Sequence, residues 1–273
     1  MNLSLYLEKL YHTKPEIIKT NLGLTNDIYK VIINHESYAL RVPKMDVKDF
    51  IGVHEEECLK LIKTTNLDVE EIFYDSSNRI RMTRWLDNCL EFKDYIKDDK
   101  YLKATKLIKK LHNYEFKVNH DFDIYEMYLK FKYNIKYQLF DYAKYEYLFL
   151  EFNNLNHKKV LCHNDLVSGN ILFKDDEAYL IDYEYAAMNH PYFDIMSLIS
   201  ENNIDDEDIR KQIYQEYFGN KLNDEILKEL QLIENMQNLL WAAWANMLYD
   251  SRSEEIYLTI FKDKINHLLR GIE

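Results

Sequence analysis

Between Val160 and Glu184 the chain sets a polar loop between apolar strands, and this arrangement narrows the possible folds more than any other stretch. Val160-Leu161-Cys162 is a short apolar strand candidate. His163-Asn164-Asp165 follows, Gly169 gives the loop freedom, and Asn170 closes it. Glu177-Ala178-Tyr179-Leu180-Ile181 is a further strand, reached through a hairpin turning at Lys174-Asp175-Asp176, and it runs into Asp182. Other strand signals crowd the first 85 or so residues. Asp27 to Ile33 is rich in β-branched and aromatic residues, ends at the turn cluster Asn34-His35-Glu36-Ser37, and returns as Ser37 to Val42 before Pro43. Val69–Tyr74 and Arg79–Thr83 complete a small sheet, with a helical segment between Asp46 and Thr64. After Asn88 the pattern turns helical. Leu107, Ile108 and Leu111 share one face, as do Ile124, Met127, Tyr128, Phe131 and Ile135, and helix resumes from Ile195 to the end. The expected architecture is α+β: a small β-rich lobe over 1–87, a hinge near 84–95, and a larger, mostly helical lobe over 88–273.

Composition excludes several classes. Five glycines and three prolines in 273 residues disfavour a turn-dense all-β protein. Lys and Arg total 35 against 47 Asp and Glu, a net charge of −12. Such a surface repels phosphate backbones, so nucleic acid is not an expected partner, and it suits a cationic small molecule. Cys58, Cys89 and Cys162 are widely spaced with no C-x-x-C, which reads as reduced thiols in a cytoplasmic protein. Charge interrupts Met1–Lys9 too early for a signal peptide. The most apolar run, Leu239–Leu248, is too short to span a membrane and contains Asn246.

The polar loop carries the chemistry. Asp165 and Asn170 are five residues apart, and Asp182 lies twelve beyond Asn170. Hard divalent cations want oxygen ligands, which Asn170 and Asp182 supply. An acceptor hydroxyl in line with a terminal phosphate must shed a proton, and Asp165 is placed to take it. H-x-D alone is explained as well by a polar loop with incidental acids. Asn170 and the strand-terminal Asp182 together favour phosphoryl transfer, in which the protein positions groups and neutralises charge.

These residues resemble the catalytic loop and metal-binding segment of the aminoglycoside phosphotransferase/choline kinase superfamily, which has a protein-kinase-like two-lobed fold. Asp182-Tyr183-Glu184-Tyr185, then Asn189 and Phe193-Asp194-Ile195, is similar to choline and ethanolamine kinases, and the match runs unbroken from Leu161 to Glu201. The resemblance implies ATP and Mg²⁺ between the lobes, with Asp165 as base and Asn170 and Asp182 as metal ligands. His163 and Asp194 hold the loop, and Glu184 orients loop groups or contacts a metal-bound water. Leu22-Gly23-Leu24-Thr25-Asn26 falls at the family's nucleotide loop. With a single glycine its backbone cradle is weakly signalled, so Thr25 and Asn26 supply donors. Arg41 takes the phosphate-binding position, where its planar fork suits phosphate oxygens. Of the triplet Glu55-Glu56-Glu57, Glu56 is the expected anchor for Arg41, the other two being a solvated helix face.

The acceptor needs its own argument. A quaternary ammonium cannot donate an N–H bond and is held by aromatic faces, each contributing roughly 0.5–2 kcal/mol. Trp241 and Trp244 form W-x-x-W, with both rings on one side of a helix. Such pairs usually pack cores, and 23 Tyr and 13 Phe make chance pairs easy. The resemblance places both tryptophans, Tyr185 and Glu201 at choline-kinase positions, with Tyr257 closing the cage. It implies ATP + choline → ADP + phosphocholine. Ethanolamine, an aminoglycoside or another amino-alcohol is the alternative within the fold. A ligand-sensing pseudokinase is the alternative outside catalysis, and intact Asp165, Asn170 and Asp182 argue against it.

Overall fold

A computed structural model describes residues 2–45 and 54–272. The chain forms two compact units, one of Met1–Tyr95 with Gly169–Tyr185, the other of Ile96–Ser168 with Ala186–Glu273.

In the first unit, α1 (Leu3–Tyr11) precedes β1 (Glu16–Lys19), β2 (Asn26–Ile33) and β3 (Glu36–Pro43). Then come α2 (Glu55–Ile62), β4 (Glu71–Asp75), β5 (Ile80–Arg84) and β6 (Leu90–Glu91). One antiparallel sheet has the order β1-β2-β3-β5-β4. Ile33 pairs with Glu36, so only Asn34 and His35 make the turn, both at positive φ. This is the mirror-image turn whose twist matches that of the flanking strands. Alternate residues Val31 and Ile33, Tyr38 and Leu40, Ile80 and Met82 point to one face, where Leu7 of α1 joins them in a core. The helix expected between 46 and 64 is seen as α2, with Cys58, Leu59 and Ile62 buried; residues 46–53 lie outside the described residues.

A hairpin from later in the chain completes this unit. Beyond β7 (Val160–Cys162), β8 (Ile171–Lys174) and β9 (Glu177–Leu180) pair around Asp175 and Asp176, again both at positive φ. β8 also pairs with β6, and Leu180 N donates to Leu67 O at 2.8 Å. These bonds are why 88–95 and 169–185 pack with the first unit, a grouping different from a single division at 87/88. Gly169 lies in a 3₁₀ turn with no left-handed φ and open space where a Cβ would sit, so the turn does not depend on glycine.

The second unit holds α3 (Lys100–Asn113), α4 (Ile124–Tyr133), α5 (Tyr147–Asn153), β7 (Val160–Cys162) and β10 (Ala187–Asn189), the two strands pairing antiparallel. It continues with α6 (Tyr192–Glu201), α7 (Glu207–Phe218), α8 (Asp224–Arg252) and α9 (Glu255–Ile272). The helical face expected through Ile135 ends at Tyr133, so Ile135 falls beyond α4. α8 is central: Ile233 to Ala243 is buried without a break. Its Asn223 cap accepts from Ile226 N, and it stops at Ser253, whose left-handed φ of 57° turns the chain into α9. No helix among the described residues is long and apolar enough to cross a membrane.

Candidate active site

In the first unit, one guanidinium, three carboxylates and their donors converge at the ends of β2 and β3, on α2 and just past β9. Arg41 on β3 is buried, and its Nη2 donates to Glu55 Oε2 at 2.5 Å. Its Nη1 donates to Asp182 Oδ1 and lies 3.8 Å from Glu184 Oε2. Burial alone would weaken the guanidinium's hold on its proton, but the charges of Glu55, Asp182 and Glu184 outweigh that, and Arg41 stays firmly protonated.

The expected partner of Arg41 is thereby corrected. Glu55, 0 % exposed at its side chain, is the anchor, whereas Glu56 is 48 % exposed and pairs with Lys60 at 2.9 Å. Successive residues of a helix point about 100° apart, so only one of the triplet can face the strand.

Thr25 and Asn26, expected to serve phosphate, are engaged with Glu184. Thr25 Oγ1 donates to Glu184 Oε1 at 3.1 Å, and Asn26 Nδ2 donates to Oε2 at 2.9 Å. Just before them Gly23 has φ +84°, and a Cβ there would meet Asn26 O at 2.5 Å, so the lone glycine of the loop closes a turn no other residue fits well.

The β8–β9 register sets the rest. Ile181 N donates to Asn170 O at 3.0 Å, which carries Asn170 and the adjacent Asp182 to the same end of the hairpin. Asp182 itself adopts a left-handed φ of 66°, turning the backbone at the strand end. Tyr185, four residues beyond Ile181, is buried.

This cluster suits a divalent cation. Three carboxylates face one guanidinium, leaving excess negative charge. Burial, then the charge of Asp182, pushes the Glu184 carboxyl well above its ordinary range. Asn26 Oδ1, Glu55 Oε1 and Arg41 Nε are buried with no hydrogen-bond partner among the described residues. Oxygen-rich donors of this kind match a hard ion.

In the second unit the loop after β7 is clamped by α6. Asp194, fully buried, accepts from His163 N and from Asn164 N, each at 2.8 Å, and meets His112 Nε2 at 3.0 Å. Ser197 Oγ accepts from Leu166 N at 2.9 Å, and Asn202 Nδ2 donates to Leu166 O at 2.8 Å. Asn164 takes φ 67°, and its Oδ1 accepts from Asn189 Nδ2 at 2.8 Å. Asp165 is half-buried in the middle of this braced loop and His163 is fully buried. A carboxylate accepting several N–H bonds is a strong anchor, so the backbone on both sides of Asp165 is held in one geometry. His112, Ser197, Asn202 and Tyr217, whose hydroxyl lies 2.6 Å from His112 Nδ1, were not singled out from the sequence. His112 lies in the last turn of α3, and only the fold brings it to Asp194.

Three of the aromatic residues, Trp241, Trp244 and Tyr257, stand together in the second unit. Trp241 and Trp244 stand edge to face, 6.3 Å apart at 89°, and Trp244 and Tyr257 do so at 5.7 Å and 77°. Trp241 and Tyr257 are buried and Trp244 is half-buried. The Tyr257 face carries a cation of the chain itself: Arg252 Cζ lies 5.4 Å from the ring centroid, and its Nη1 donates to the hydroxyl. Glu201 does not present an open carboxylate, because buried Lys264 pairs with its Oε1 at 2.8 Å and donates to Ser200 O at 2.9 Å.

Residues 134–230 match the family described as phosphotransferase enzyme family (APH). Protein LicA of Haemophilus influenzae is 25% identical over 244 residues, 82% of this chain and 71% of that protein. The structure of choline kinase LicA from Streptococcus pneumoniae superposes with a TM-score of 0.79 at 19% identity, covering 98% of each chain. A LicA structure in complex with AMP gives 0.80 at 19% identity, covering 98% of this chain and 97% of that one. The fold is therefore the kinase-like one, with a small β-rich part and a larger helical part.

Proposed function

We propose that this chain, which carries a phosphotransferase-enzyme-family domain and is a phosphotransferase of the kinase type, moves the γ-phosphate of ATP to the hydroxyl of choline. The observation that carries the acceptor is the set of three rings in which Trp244 stands edge to face with both Trp241 and Tyr257. A trimethylammonium group is held by ring faces rather than by hydrogen bonds, and the chain already rests one cation, Arg252, against Tyr257. With Glu201 offset by Lys264, selection falls on the aromatic faces, Trp244 foremost because it is the half-buried one. The likeness to a choline kinase supports the same reading.

Asn170 and Asp182 are the residues that would hold Mg²⁺, with Glu184 beside them. When bound, the ion supplies charge neutralisation at the transferring phosphoryl group. Arg41, held by Glu55, steadies the phosphate oxygens. Gly23, Thr25 and Asn26 shape the loop that covers the nucleotide. Asp165, fixed by the Asp194 clamp, orients the hydroxyl and takes its proton as the oxygen attacks in line. The reaction needs no phosphoenzyme, because the braced carboxylate serves as a base and positions the nucleophile.

A turnover assay with Mg²⁺, ATP and choline, ethanolamine or kanamycin tests the proposal. It expects the highest kcat/KM for choline. Preference for ethanolamine or kanamycin overturns the acceptor, and ATP left unconsumed with all three overturns the activity.

A further inference from the structure

A second cluster, outside the phosphotransfer residues, carries a chemistry of its own. His157 lies three residues before β7, His190 directly after β10, and Glu229 on α8. One ligand atom from each lies within 4.8 Å of the others. His157 Nε2 meets Glu229 Oε2 at 2.9 Å, and the two histidine rings stand 4.2 Å apart between centroids. We propose that His157, His190 and Glu229 form a binding site for a zinc-class divalent ion, distinct from the Mg²⁺ site proposed above.

The donor set fits such an ion: two imidazoles and a carboxylate suit zinc, whereas Mg²⁺ prefers oxygen alone. Bonds of about 2.0–2.1 Å in a tetrahedron separate ligand atoms by about 3.3 Å, so the His157–Glu229 pair needs to open only slightly. His190 Nε2 is buried with no hydrogen-bond partner among the described residues, an unmet group that coordination would satisfy. Burial, and then the neighbouring His157, pushes the His190 pKa down to about 3, so its ring is neutral as a ligand must be. Coordination through Nε2 places the ring proton on Nδ1 and releases the 3.2 Å contact from Tyr192 N. His157 and Glu229 are partly exposed, which gives the ion an entry path and leaves room for water as fourth ligand. The other cluster of ligating types, His112, Cys162 and Asp194, is a weaker candidate, because Asp194 and both His112 nitrogens are already engaged in the loop clamp.

An ion here would tie the paired strands β7 and β10 to α8. The test titrates the metal-free, untagged chain with Zn²⁺ in excess Mg²⁺ by competition with a chelating dye, and repeats it for His157→Gln and Glu229→Gln. One Zn²⁺ per chain is expected, with affinity lowered about tenfold or more in each variant and with Zn²⁺ raising the unfolding temperature of the wild type only. Co²⁺ in place of Zn²⁺ should give d–d bands without a thiolate charge-transfer band. No stoichiometric binding, unchanged affinity in both variants, or a thiolate band marking the Cys162 cluster instead would each overturn the proposal.

Discussion

Replacing Glu55 by Ala tests how Arg41 is held. The side chains of Glu55 and Arg41 are 0 % and 9 % exposed, so the pair is inside the first unit. Removing one member of a buried pair costs about 3–5 kcal/mol, because the remaining charge stays buried without its partner. Asp182 and Glu184 stay within reach of Nη1 and share the guanidinium, which lowers the expected loss to about 2–3 kcal/mol. At about 2–4 °C per kcal/mol for a chain approaching this length, the unfolding midpoint should fall by about 4–12 °C. The ATP KM should rise as well, because the guanidinium is then drawn towards Asp182 and away from the phosphate position. Glu56→Ala is the internal control: its carboxylate faces water beside Lys60, and neither midpoint nor KM should move. The assays are thermal unfolding followed by circular dichroism and steady-state kinetics over ATP concentration. Equal losses in the two variants, or an unmoved midpoint in Glu55→Ala, would refute the assignment of Glu55 as anchor.

Asp165→Ala should cut turnover by about 10²–10⁴-fold while nucleotide affinity measured by calorimetry stays within threefold; retained turnover removes Asp165 as base. Trp244→Ala should raise the choline KM by about 2- to 30-fold, the equivalent of one cation–π contact, with the ATP KM unchanged, and equal shifts in both would dissolve the aromatic site. Glu184 holds its proton more tightly folded than unfolded, so the native state binds the extra proton above the ordinary carboxylate range. The stability this contributes is full at low pH and is lost as pH rises through the folded value. Unfolding midpoints of the wild type should therefore decline relative to Glu184→Gln as pH rises above the ordinary carboxylate range, and parallel curves would contradict the inferred environment of Glu184.

The sequence was most legible where chemistry and periodicity coincide. The β2–β3 and β8–β9 hairpins showed themselves through β-branched runs and short polar turns. What escaped was set by tertiary contact. Glu55 and Glu56 are adjacent and chemically identical, and only the rotation of α2 against β3 chooses between them. The pairing of Glu201 with Lys264 joins residues 63 apart, and no local pattern reveals it. β1 and β6 went unread because they are short and mostly exposed, so they lack the alternation a buried strand shows. α4 ends before Ile135 because a periodic face continues in sequence even where the backbone has turned away.

The first unit is sewn from two stretches of chain separated by more than seventy residues, with β6 and β8 as the seam. A gene cut near residue 95 therefore yields a fragment without Asn170 and Asp182, and the β6 edge of that fragment is left bare. On the ribosome the same unit stays unfinished until Tyr185 has emerged, long after its sheet could close. A fragment that contains the whole of this unit requires residues 169–185 to be grafted back through a linker.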